Sequence, residues 1–402
     1  MRLTVERLGH LGDGVAGDIF VPMALPGEVV EGEVSGGRMA APVVVTPSAH
    51  RVAPHCPHYG ACGGCSLMHA NDGFVAAWKD EVVREALAAQ GLGATFRAVV
   101  TSPGNARRRA TLAGRRTKTG AAIGFNGRAS GTIAGIPGCR LLSPEILAHL
   151  PALKELTALG ASRSAVLHLT VTEMETGADV AVSGGKDPDS VLRSGLAAIA
   201  GRAGFARLTW NGETLAQRVV PVLGFGRARV APPPGAFLQA TAQGEAALAE
   251  GVAEALNGAR RLADLFAGCG TFALRLAEQA EVHAVEGDAA MTLALDAAAR
   301  ATPGLRRLTT ERRDLFRRPL LSDELARFDA AVIDPPRAGA AAQAAEIARS
   351  GLKRVAYVSC NPATFARDAR ILTDAGFRIL WVRVVDQFRW SPHVELVAAF
   401  FR

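Results

Sequence analysis

A repeated strand–turn–helix pattern from Ala236 to the C-terminus constrains the fold of this chain more than any other feature. Apolar runs that are typical of strands alternate with short turns and helical segments, and these runs are ARRLADLF, EVHAVEGD, RFDAAVIDPPR, RVAYVSCNP and VELVAAFFR. Such alternation predicts a parallel, doubly wound α/β sheet whose ligands bind at the carboxyl ends of the strands. We therefore expect a Rossmann-like catalytic domain over residues 235–402.

The turn after the first of these strands is rich in glycine. Its sequence from Asp264 to Gly270 is DLFAGCG, and glycines there let the backbone approach a ligand closely. The turn does not match G-x-G-x-x-G, and no P-loop lysine follows it. Glu286 ends the next strand, where a carboxylate can bind ribose hydroxyls, and Asp314 follows a third strand. Each acid alone could be a helix cap or a surface charge. Three acids at corresponding strand ends, Asp264, Glu286 and Asp314, together favour S-adenosylmethionine as the cofactor.

Two residues near later strands carry groups suited to covalent chemistry. Cys360, in SCNP, ends a strand at a proline turn, which suits a nucleophile, although an isolated cysteine is usually inert and buried. Glu395, in DQFRWSPHVE, lies next to a strand and could be a general base or an ordinary loop acid. The segment IDPPR ends in Arg337, where enzymes that methylate exocyclic amines place an aromatic residue. This difference argues against an amine as the target.

A cofactor pocket, a cysteine and a carboxylate are together the minimum set for methylating carbon 5 of uracil. That carbon is a poor nucleophile until a thiolate adds at carbon 6 and makes an enolate. After methyl transfer, a base has to remove the carbon 5 proton so that the thiolate can leave. Cytosine chemistry needs a similar thiol, so these residues leave the identity of the base open.

Four cysteines have a spacing typical of a metal centre, and they are Cys56, Cys62, Cys65 and Cys139. In a reducing compartment, close cysteine spacing indicates metal binding or catalysis rather than disulfides. Zinc usually takes two close pairs, whereas a 4Fe-4S cluster often takes three clustered cysteines and one distant cysteine. The pattern here favours the cluster, although Cys139 could instead be a small buried hydrophobe. The spacing from Cys56 to Cys62 is too long for a radical S-adenosylmethionine enzyme.

A long stretch without acidic residues runs from Ala86 to Pro144. Its basic residues include Arg97, Arg107, Arg108, Arg109, Arg115, Arg116, Lys118, Arg128 and Arg140. The chain carries a formal net charge of +7, and a stretch of this kind resembles a polyanion-binding surface. A solvated charged face is the usual explanation of a charge run, but the lack of counter-charges favours nucleic acid as the partner here.

The rest of the chain divides by composition into two further regions. Residues 1–46 contain short β-rich runs separated by glycines, which predicts a small OB-like barrel. Residues 47–230 hold the cysteines and the basic stretch and predict an α/β central domain, which ends at the stiff hinge APPPG. No uncharged apolar run approaches about 18 residues and no secretory signal is visible, so we expect a cytoplasmic protein with no membrane contact, and a monomer.

At these motifs the chain resembles the RNA 5-methyluridine methyltransferase family, and it is most similar to the iron–sulfur branch that acts on 23S ribosomal RNA. The resemblance covers nearly the whole length and implies methylation of carbon 5 of a uridine, with Cys360 as the nucleophile and Glu395 as the base. It implies that the four cysteines above hold a 4Fe-4S cluster. It assigns the cofactor pocket to Gln239, Phe266, Thr271, Glu286, Asp314 and Asp334. Residues 1–46 are similar to the family's RNA-binding TRAM barrel but shorter.

Several positions depart from the family pattern. Thr271 and Thr241 stand where asparagine is usual or common, and Arg389 and Ser391 replace a proline and a threonine in the last motif. None of these changes removes a catalytic group. The alternatives are a transfer-RNA uridine methyltransferase, whose branch normally lacks the cluster, an RNA cytosine-5 methyltransferase, and a non-catalytic iron–sulfur RNA-binding factor.

Overall fold

The computed structural model describes residues 1–128 and 130–402. The N-terminal region is made of short strands, which are β1 (Arg2–Thr4), β2 (Arg7–Leu8), β3 (Gly14–Ala16), β4 (Ile19–Val21), β5 (Val29–Glu31), β6 (Val34–Ser35), β7 (Arg38–Met39) and β8 (Val43–Thr46). They form two small sheets with the orders β1-β5-β8 and β2-β3-β4-β7-β6. Val5, Val21, Val30 and Met39 pack together as the apolar centre of this region. The glycine-separated runs therefore form short, twisted strands, as expected from the sequence.

A long helix and a strand follow the cysteine segment. Helix α1 (Asp72–Ala88) begins after Asn71, whose side chain accepts a hydrogen bond from the backbone N–H of Phe74 at 2.8 Å. An asparagine in this position satisfies a backbone donor that the helix itself leaves unpaired. Strand β9 (Phe96–Thr101) comes next, and Val83 and Leu87 of α1 pack into the core of the C-terminal sheet.

The central region is a mostly antiparallel sheet with helices. Its elements are β10 (Arg109–Thr117), β11 (Gly120–Asn126), β12 (Ile133–Gly135), α2 (Pro144–Ala148), α3 (Leu150–Gly160), β13 (Leu167–Met174), β14 (Gly177–Ser183), α4 (Ser190–Arg202), β15 (Arg207–Trp210) and β16 (Glu213–Gln217). The strand order is β12-β11-β10-β13-β14-β15-β16. Trp210 is fully buried in this core, and a Cβ at Gly160 would lie 2.3 Å from its ring. Only glycine at position 160 lets the helix pack this closely on the indole.

The C-terminal region follows a hairpin of β17 (Leu223–Phe225) and β18 (Ala228–Val230). Its elements are α5 (Ala242–Ala255), β19 (Arg261–Leu265), α6 (Ala273–Leu276), β20 (Glu281–Glu286), α7 (Ala289–Ala301), β21 (Leu308–Arg312), α8 (Ser322–Leu325), β22 (Ala330–Ile333), α9 (Ala341–Arg349), β23 (Arg354–Ser359), α10 (Pro362–Asp374), β24 (Arg378–Asp386) and β25 (Leu396–Phe401). The strand order is β21-β20-β19-β22-β23-β25-β24-β9. The predicted Rossmann-like α/β fold is confirmed.

The prediction of an all-parallel sheet is wrong at the last strand. β25 lies between β23 and β24 and runs antiparallel to both. The connection from β24 to β25 spans only residues 387–395, and a short connection between neighbouring strands reverses the chain, whereas a parallel pair needs a long crossover. As a result, the first residue of β25 lies at the same sheet edge as the last residues of β19, β20, β22 and β23.

The C-terminal sheet also takes in a part of the chain that the sequence analysis places in the central domain. β9 pairs with β24 in parallel and forms the outer edge of the sheet, and α1 packs beside it. The guanidinium of Arg97 lies 3.9 Å from the centroid of the Trp381 ring. Residues 72–101 therefore join the two regions by packing as well as by chain connection.

Within residues 1–128 and 130–402, the helices are too short or too polar for any of them to cross a lipid bilayer.

Candidate active site

A cavity of about 510 Å³ opens at the carboxyl ends of the parallel strands. The predicted cofactor and catalytic residues all line it, and they are Gln239, Phe266, Thr271, Glu286, Asp314, Asp334, Cys360 and Glu395. They come from seven separate segments of the chain. Six of these follow or precede a strand of the C-terminal sheet at this edge, and the seventh, which holds Gln239, precedes α5. The structure thus brings the predicted residues together, while their individual roles stay predictions.

The glycine-rich turn is held against Glu286 by backbone hydrogen bonds. Gly268 N–H donates to Oε2 of Glu286 at 2.9 Å, and Asp288 N–H donates to Oε1 at 2.8 Å. Phe266 and Gly268 both have positive φ, at 64° and 57°, which turns the chain sharply after β19. One carboxylate therefore fixes two loops that border the cavity.

Asp314 and an aromatic pair form the outer rim of the cavity. Oδ1 of Asp314 accepts the backbone N–H groups of Phe316 at 3.0 Å and Arg317 at 3.3 Å. The Phe316 ring is half exposed and its centroid lies 5.4 Å from that of Phe266. An aromatic rim beside a carboxylate suits a ligand that has both a flat ring and hydroxyl or amino donors.

Cys360 and Glu395 occupy matching positions on neighbouring antiparallel segments. The register pairs Ser359 of β23 with Leu396 of β25, and Cys360 and Glu395 are the next residues outward on each segment. Directly opposed residues of antiparallel segments have Cα atoms about 4.5–5.5 Å apart. The thiol and the carboxylate therefore lie side by side on the wall of the same cavity.

The ionisable groups of this wall have strongly shifted pKa values. Burial raises the pKa of Cys360 to about 11, with the charges of Glu395 and Asp334 adding to the shift and Arg337 opposing it. Burial and the charge of Asp334 raise the pKa of Glu395 to about 8, and burial raises that of Asp334 to about 7. Carboxylates with such values can accept a proton near neutral pH, and a cationic ligand in the cavity would favour their ionised forms.

Asp264 is a fully buried acid near the cavity with a strongly raised pKa. In the described part of the chain, neither of its carboxylate oxygens has a hydrogen bond of good geometry, although the backbone N–H of Ala273 is close enough to oppose the rise in its pKa. The residue is 0% exposed. Burial raises its pKa to about 8, and the charges of Asp334 and Glu286 add to the shift. We expect Asp264 to be protonated in the free protein at neutral pH, because an ionised carboxylate without partners is costly to bury.

A buried glutamine that the sequence analysis missed joins two predicted site residues. The Nε2 of Gln387 donates to Oε2 of Glu395 at 3.1 Å and also to Oε1 of Gln239. Its Oε1 accepts the backbone N–H of Ala240 at 2.8 Å. The signal in the sequence was its position two residues before Arg389 in the motif of the predicted base, but nothing in a single sequence shows where its amide points.

Arg337 was also missed as a site residue, since its sequence position was used only to argue against an amine target. Its Nη2 donates to Nδ1 of His393 at 2.8 Å, so His393 accepts at that nitrogen. Burial and the charge of Arg337 lower the pKa of His393. Arg337 also lines the cavity, where its positive charge faces the thiol of Cys360 and the carboxylate of Glu395.

The four predicted metal-ligating cysteines line a second, small cavity, and they are Cys56, Cys62, Cys65 and Cys139. Burial, together with the charges of the other three thiols, raises the pKa of Cys65 to about 12, so all four lie near one another. Among the described residues, no group of three histidine, cysteine or acidic side chains is arranged to hold a single metal ion.

The chemistry of this donor set fits an iron–sulfur cluster. The four side chains all offer sulfur, and backbone N–H groups of Gly64 and Leu141 donate to the sulfurs of Cys62 and Cys139, each at 3.4 Å. N–H donors toward sulfur are a common feature of cluster sites because they stabilise thiolate charge. A cluster also spreads four cysteines over four irons, so it does not need three side chains to converge on one ion.

The structure corrects the expectation that the basic stretch lacks counter-charges. Three of its arginines pair with acids from distant parts of the chain, and these ion pairs are Arg97–Glu254, Arg108–Glu245 and Arg128–Asp13. Arg107 is largely enclosed near Cys65 and Cys139. Arg115, Arg116 and Lys118 are exposed at the tip of the β10–β11 hairpin and form no ion pair with any described residue. A shortage of acids along the sequence is thus not a shortage of acids in space.

A solved structure shares this fold over the whole chain. The structure of Pyrococcus abyssi tRNA (uracil-54, C5)-methyltransferase in complex with S-adenosyl-L-homocysteine superposes with a TM-score of 0.78 at 23% sequence identity, and it covers 100% of both chains. At this identity the likeness shows a shared fold, which is the Rossmann-like α/β fold with a cavity at the strand ends.

Sequence relatives identify the family. The family model described as tRNA (Uracil-5-)-methyltransferase matches residues 198–400. Uncharacterized RNA methyltransferases of Rhizobium meliloti and Caulobacter vibrioides are each 46% identical, covering 98% and 100% of this chain and 98% and 99% of their own. The 23S rRNA (uracil(1939)-C(5))-methyltransferase RlmD of Aeromonas salmonicida is 31% identical over 100% of this chain and 96% of its own. The chain belongs to the family of RNA uracil-5 methyltransferases.

Proposed function

We propose that this protein methylates carbon 5 of a uridine in 23S ribosomal RNA through a covalent adduct between Cys360 and carbon 6 of the base. The observation that carries this proposal is the side-by-side arrangement of Cys360 and Glu395 on the wall of the cofactor cavity. The likeness to the Aeromonas salmonicida enzyme supports ribosomal RNA as the substrate. S-adenosylmethionine supplies the methyl group as a sulfonium electrophile.

The reaction begins with the thiol of Cys360. Its pKa of about 11 means that the free protein holds it protonated at neutral pH, so attack on carbon 6 requires a proton acceptor nearby. Asp334 lines the same cavity and has a pKa of about 7, so its carboxylate can take that proton and leave Glu395 unprotonated for the later step. Addition of the sulfur to carbon 6 moves the electrons of the ring double bond onto carbon 5, which then takes the methyl group.

The second half of the reaction depends on Glu395. Carbon 5 now carries both a methyl group and a proton, and Glu395 removes that proton. The electron pair left behind re-forms the ring double bond and expels the Cys360 thiolate, which releases 5-methyluridine. Because the carboxylate is buried and has a raised pKa, it is a stronger base than an exposed glutamate, as this step requires.

The cofactor cavity has residues suited to each part of S-adenosylmethionine. Glu286 and Asp314 offer carboxylates for the ribose hydroxyls and the adenine amino group, and Phe266 and Phe316 offer aromatic surface for the adenine ring. Asp334 lies beside Cys360 and can favour the positive sulfonium. Gln239 and Thr271 also line the cavity, and Thr271 stands where the family usually has asparagine.

We also propose that Cys56, Cys62, Cys65 and Cys139 bind a 4Fe-4S cluster and that residues 1–46 form an OB-like, TRAM-type RNA-binding module. Residues 47–230 and 235–402 are proposed as the central and catalytic domains, with α1 and β9 of the former packed into the sheet of the latter. The all-sulfur donor set supports the cluster. A chain with a net charge of +7 and RNA as its substrate is expected to work as a monomer in the cytoplasm.

Mass mapping of RNA tests the proposed substrate. Ribosomal and transfer RNA from a strain lacking the gene, treated with the purified protein and S-adenosylmethionine, should gain 5-methyluridine in 23S ribosomal RNA alone. A gain in transfer RNA would assign the transfer-RNA branch instead. Formation of 5-methylcytidine would show that the target base is cytosine and that the uridine proposed here is wrong. The absence of any methylated nucleoside in either RNA would favour a non-catalytic RNA-binding factor.

A further inference from the structure

We propose that Gln387 is a positioning residue for the reaction, and that its side-chain amide fixes the orientation of Glu395 and joins it to Gln239 behind the wall of the cofactor cavity. This inference rests on the proposed function, because it concerns the step in which Glu395 removes the carbon 5 proton. Gln387 is 1% exposed and does not itself line the cavity, so it acts through Glu395 and Gln239.

The amide of Gln387 uses all of its donors. A primary amide has two N–H groups and one carbonyl oxygen. In this structure both N–H groups are engaged, with Oε2 of Glu395 and Oε1 of Gln239, while the carbonyl oxygen accepts the backbone N–H of Ala240. A fully satisfied buried amide has one favourable orientation, since turning it by half a rotation would place its carbonyl oxygen against two other oxygens.

The two carboxylate oxygens of Glu395 have different hydrogen-bonding states in this arrangement. Oε2 is held by Gln387, whereas Oε1 has no hydrogen-bond partner among the described residues and belongs to a side chain that lines the cavity. The oxygen that remains available to accept a proton is therefore Oε1. A donor on the other oxygen stabilises the ionised carboxylate, which opposes the effect of burial on the pKa of Glu395.

Gln387 is itself held firmly from two sides. Its neighbour Asp386 accepts a hydrogen bond from Nζ of Lys79 at 2.5 Å inside the protein, and the same Nζ donates to the backbone oxygen of Phe388 at 3.1 Å. On the other side, a Cβ at Gly244 would lie 2.7 Å from the Cβ of Gln387, so α5 packs directly on this side chain. The backbone of 386–388 is thus fixed before any ligand binds.

The test uses Gln387→Leu, which has nearly the same volume and removes both donors. Methyl transfer precedes proton removal, so a weakened base should leave the protein bound covalently to RNA. We expect the variant to accumulate a denaturation-resistant protein–RNA complex on a 23S ribosomal RNA transcript, with kcat reduced about 10- to 100-fold. Loss of the donor raises the pKa of Glu395, so the acidic limb of the kcat–pH profile should move about one pH unit higher.

Gln343→Leu is the matched control. Gln343 is also 1% exposed, and its amide bonds only to the backbone N–H and oxygen of Leu320, away from the cavity. We expect this variant to lower thermal stability while leaving the pH profile unchanged and accumulating no covalent complex. Should Gln387→Leu fold poorly, Gln387→Met removes the same donors with an unbranched side chain.

The inference is wrong if the Gln387 variants lose activity without accumulating the complex and without a shift of the pH profile, since that result describes a structural residue. It is also wrong if they behave like the unmodified protein. If instead the unmodified protein forms no 5-methyluridine in any RNA, the proposed function fails before Gln387 is tested.

Discussion

Cys360 and Glu395 lie opposite each other at the end of an antiparallel strand pair, because the register joins Ser359 to Leu396. The relationship depends on the reversed direction of β25. If β25 ran parallel to β23, its first residue would lie at the far edge of the sheet, about 17 Å away for a strand of average length. A sulfur nucleophile and a carboxylate are therefore neighbours although 34 residues, 361–394, lie between them in the chain.

Replacement of Cys360 by alanine should abolish formation of 5-methyluridine, because no other group at this position can add to carbon 6. Cofactor binding should change less than about twofold, since the methyl group of alanine removes only the sulfur from the cavity wall. Mass spectrometry of the nucleosides measures the first effect and isothermal titration with S-adenosylmethionine measures the second. Turnover in this variant would contradict the assignment of the nucleophile.

Replacement of Glu395 by glutamine should arrest the reaction after methyl transfer. The amide keeps the size of the side chain and cannot accept the carbon 5 proton, so the covalent complex should persist while product formation falls by a factor of about 100 or more. Denaturing electrophoresis with RNA labelled by the transferred methyl group detects the complex. Normal release of methylated RNA would show that another group removes the proton.

The stability of the ligand-free protein should decrease as the pH rises from about 4 to 8. The folded-state pKa of Asp264 is about 8, above that of an aspartate in an unfolded chain, so the unfolded state ionises first and is favoured as the pH rises. Asp334 and Glu395 also have raised pKa values, so their ionisation likewise lowers the stability of the folded protein as the pH rises. Asp264→Asn should flatten the dependence of Tm on pH by a few degrees. A dependence identical to that of the unmodified protein would mean that Asp264 does not titrate in this range.

The exposed tip of the β10–β11 hairpin should contribute to RNA binding. Replacement of Arg115, Arg116 and Lys118 by glutamine should reduce the slope of log K against log salt concentration by about 2, because phosphate contacts release counterions. The control is Arg193→Gln with Arg202→Gln, since both of those exposed arginines are already paired with acids. Fluorescence anisotropy with a labelled 23S ribosomal RNA fragment gives the slope, and equal slopes for both variants would exclude the hairpin tip.

The cysteine cavity should hold iron and sulfide after anaerobic purification. Cys65→Ser should remove the broad visible absorption and most of the iron, because Cys65 is one of the four sulfurs around this cavity. Cys269→Ala is the control, since Cys269 is buried in the catalytic domain at the other cavity. A colourless protein that contains zinc would show that these cysteines bind zinc instead of an iron–sulfur cluster.

Much of the candidate site follows from the sequence because its residues come directly after strands. In a sheet with mostly parallel strands, the carboxyl ends meet at one edge, so Glu286, Asp314, Asp334 and Cys360 converge whatever the details of packing. Gln387 could not be found in this way. Its importance lies in the direction of one amide, which is set by contacts with Gln239 and Glu395 on other segments.

The charged residues show the same difference between what the sequence predicts and what the fold decides. A stretch without acids predicts a basic surface, yet Arg97, Arg108 and Arg128 are paired in the folded protein. Their partners lie more than 100 residues away along the chain, so no local pattern could reveal them. The sequence reports where charges are, and the fold decides which of them remain free to bind RNA.

The sequence by itself determined the Rossmann-like fold and the identity of the groups at the strand ends, because hydrophobic periodicity and turn residues act over short distances along the chain. Only the tertiary structure decided that β25 reverses direction, that Glu395 stands beside Cys360, and that Gln387 joins Glu395 to Gln239. These features depend on which segments pack together, and the packing free energy is a property of the whole core rather than of any one segment.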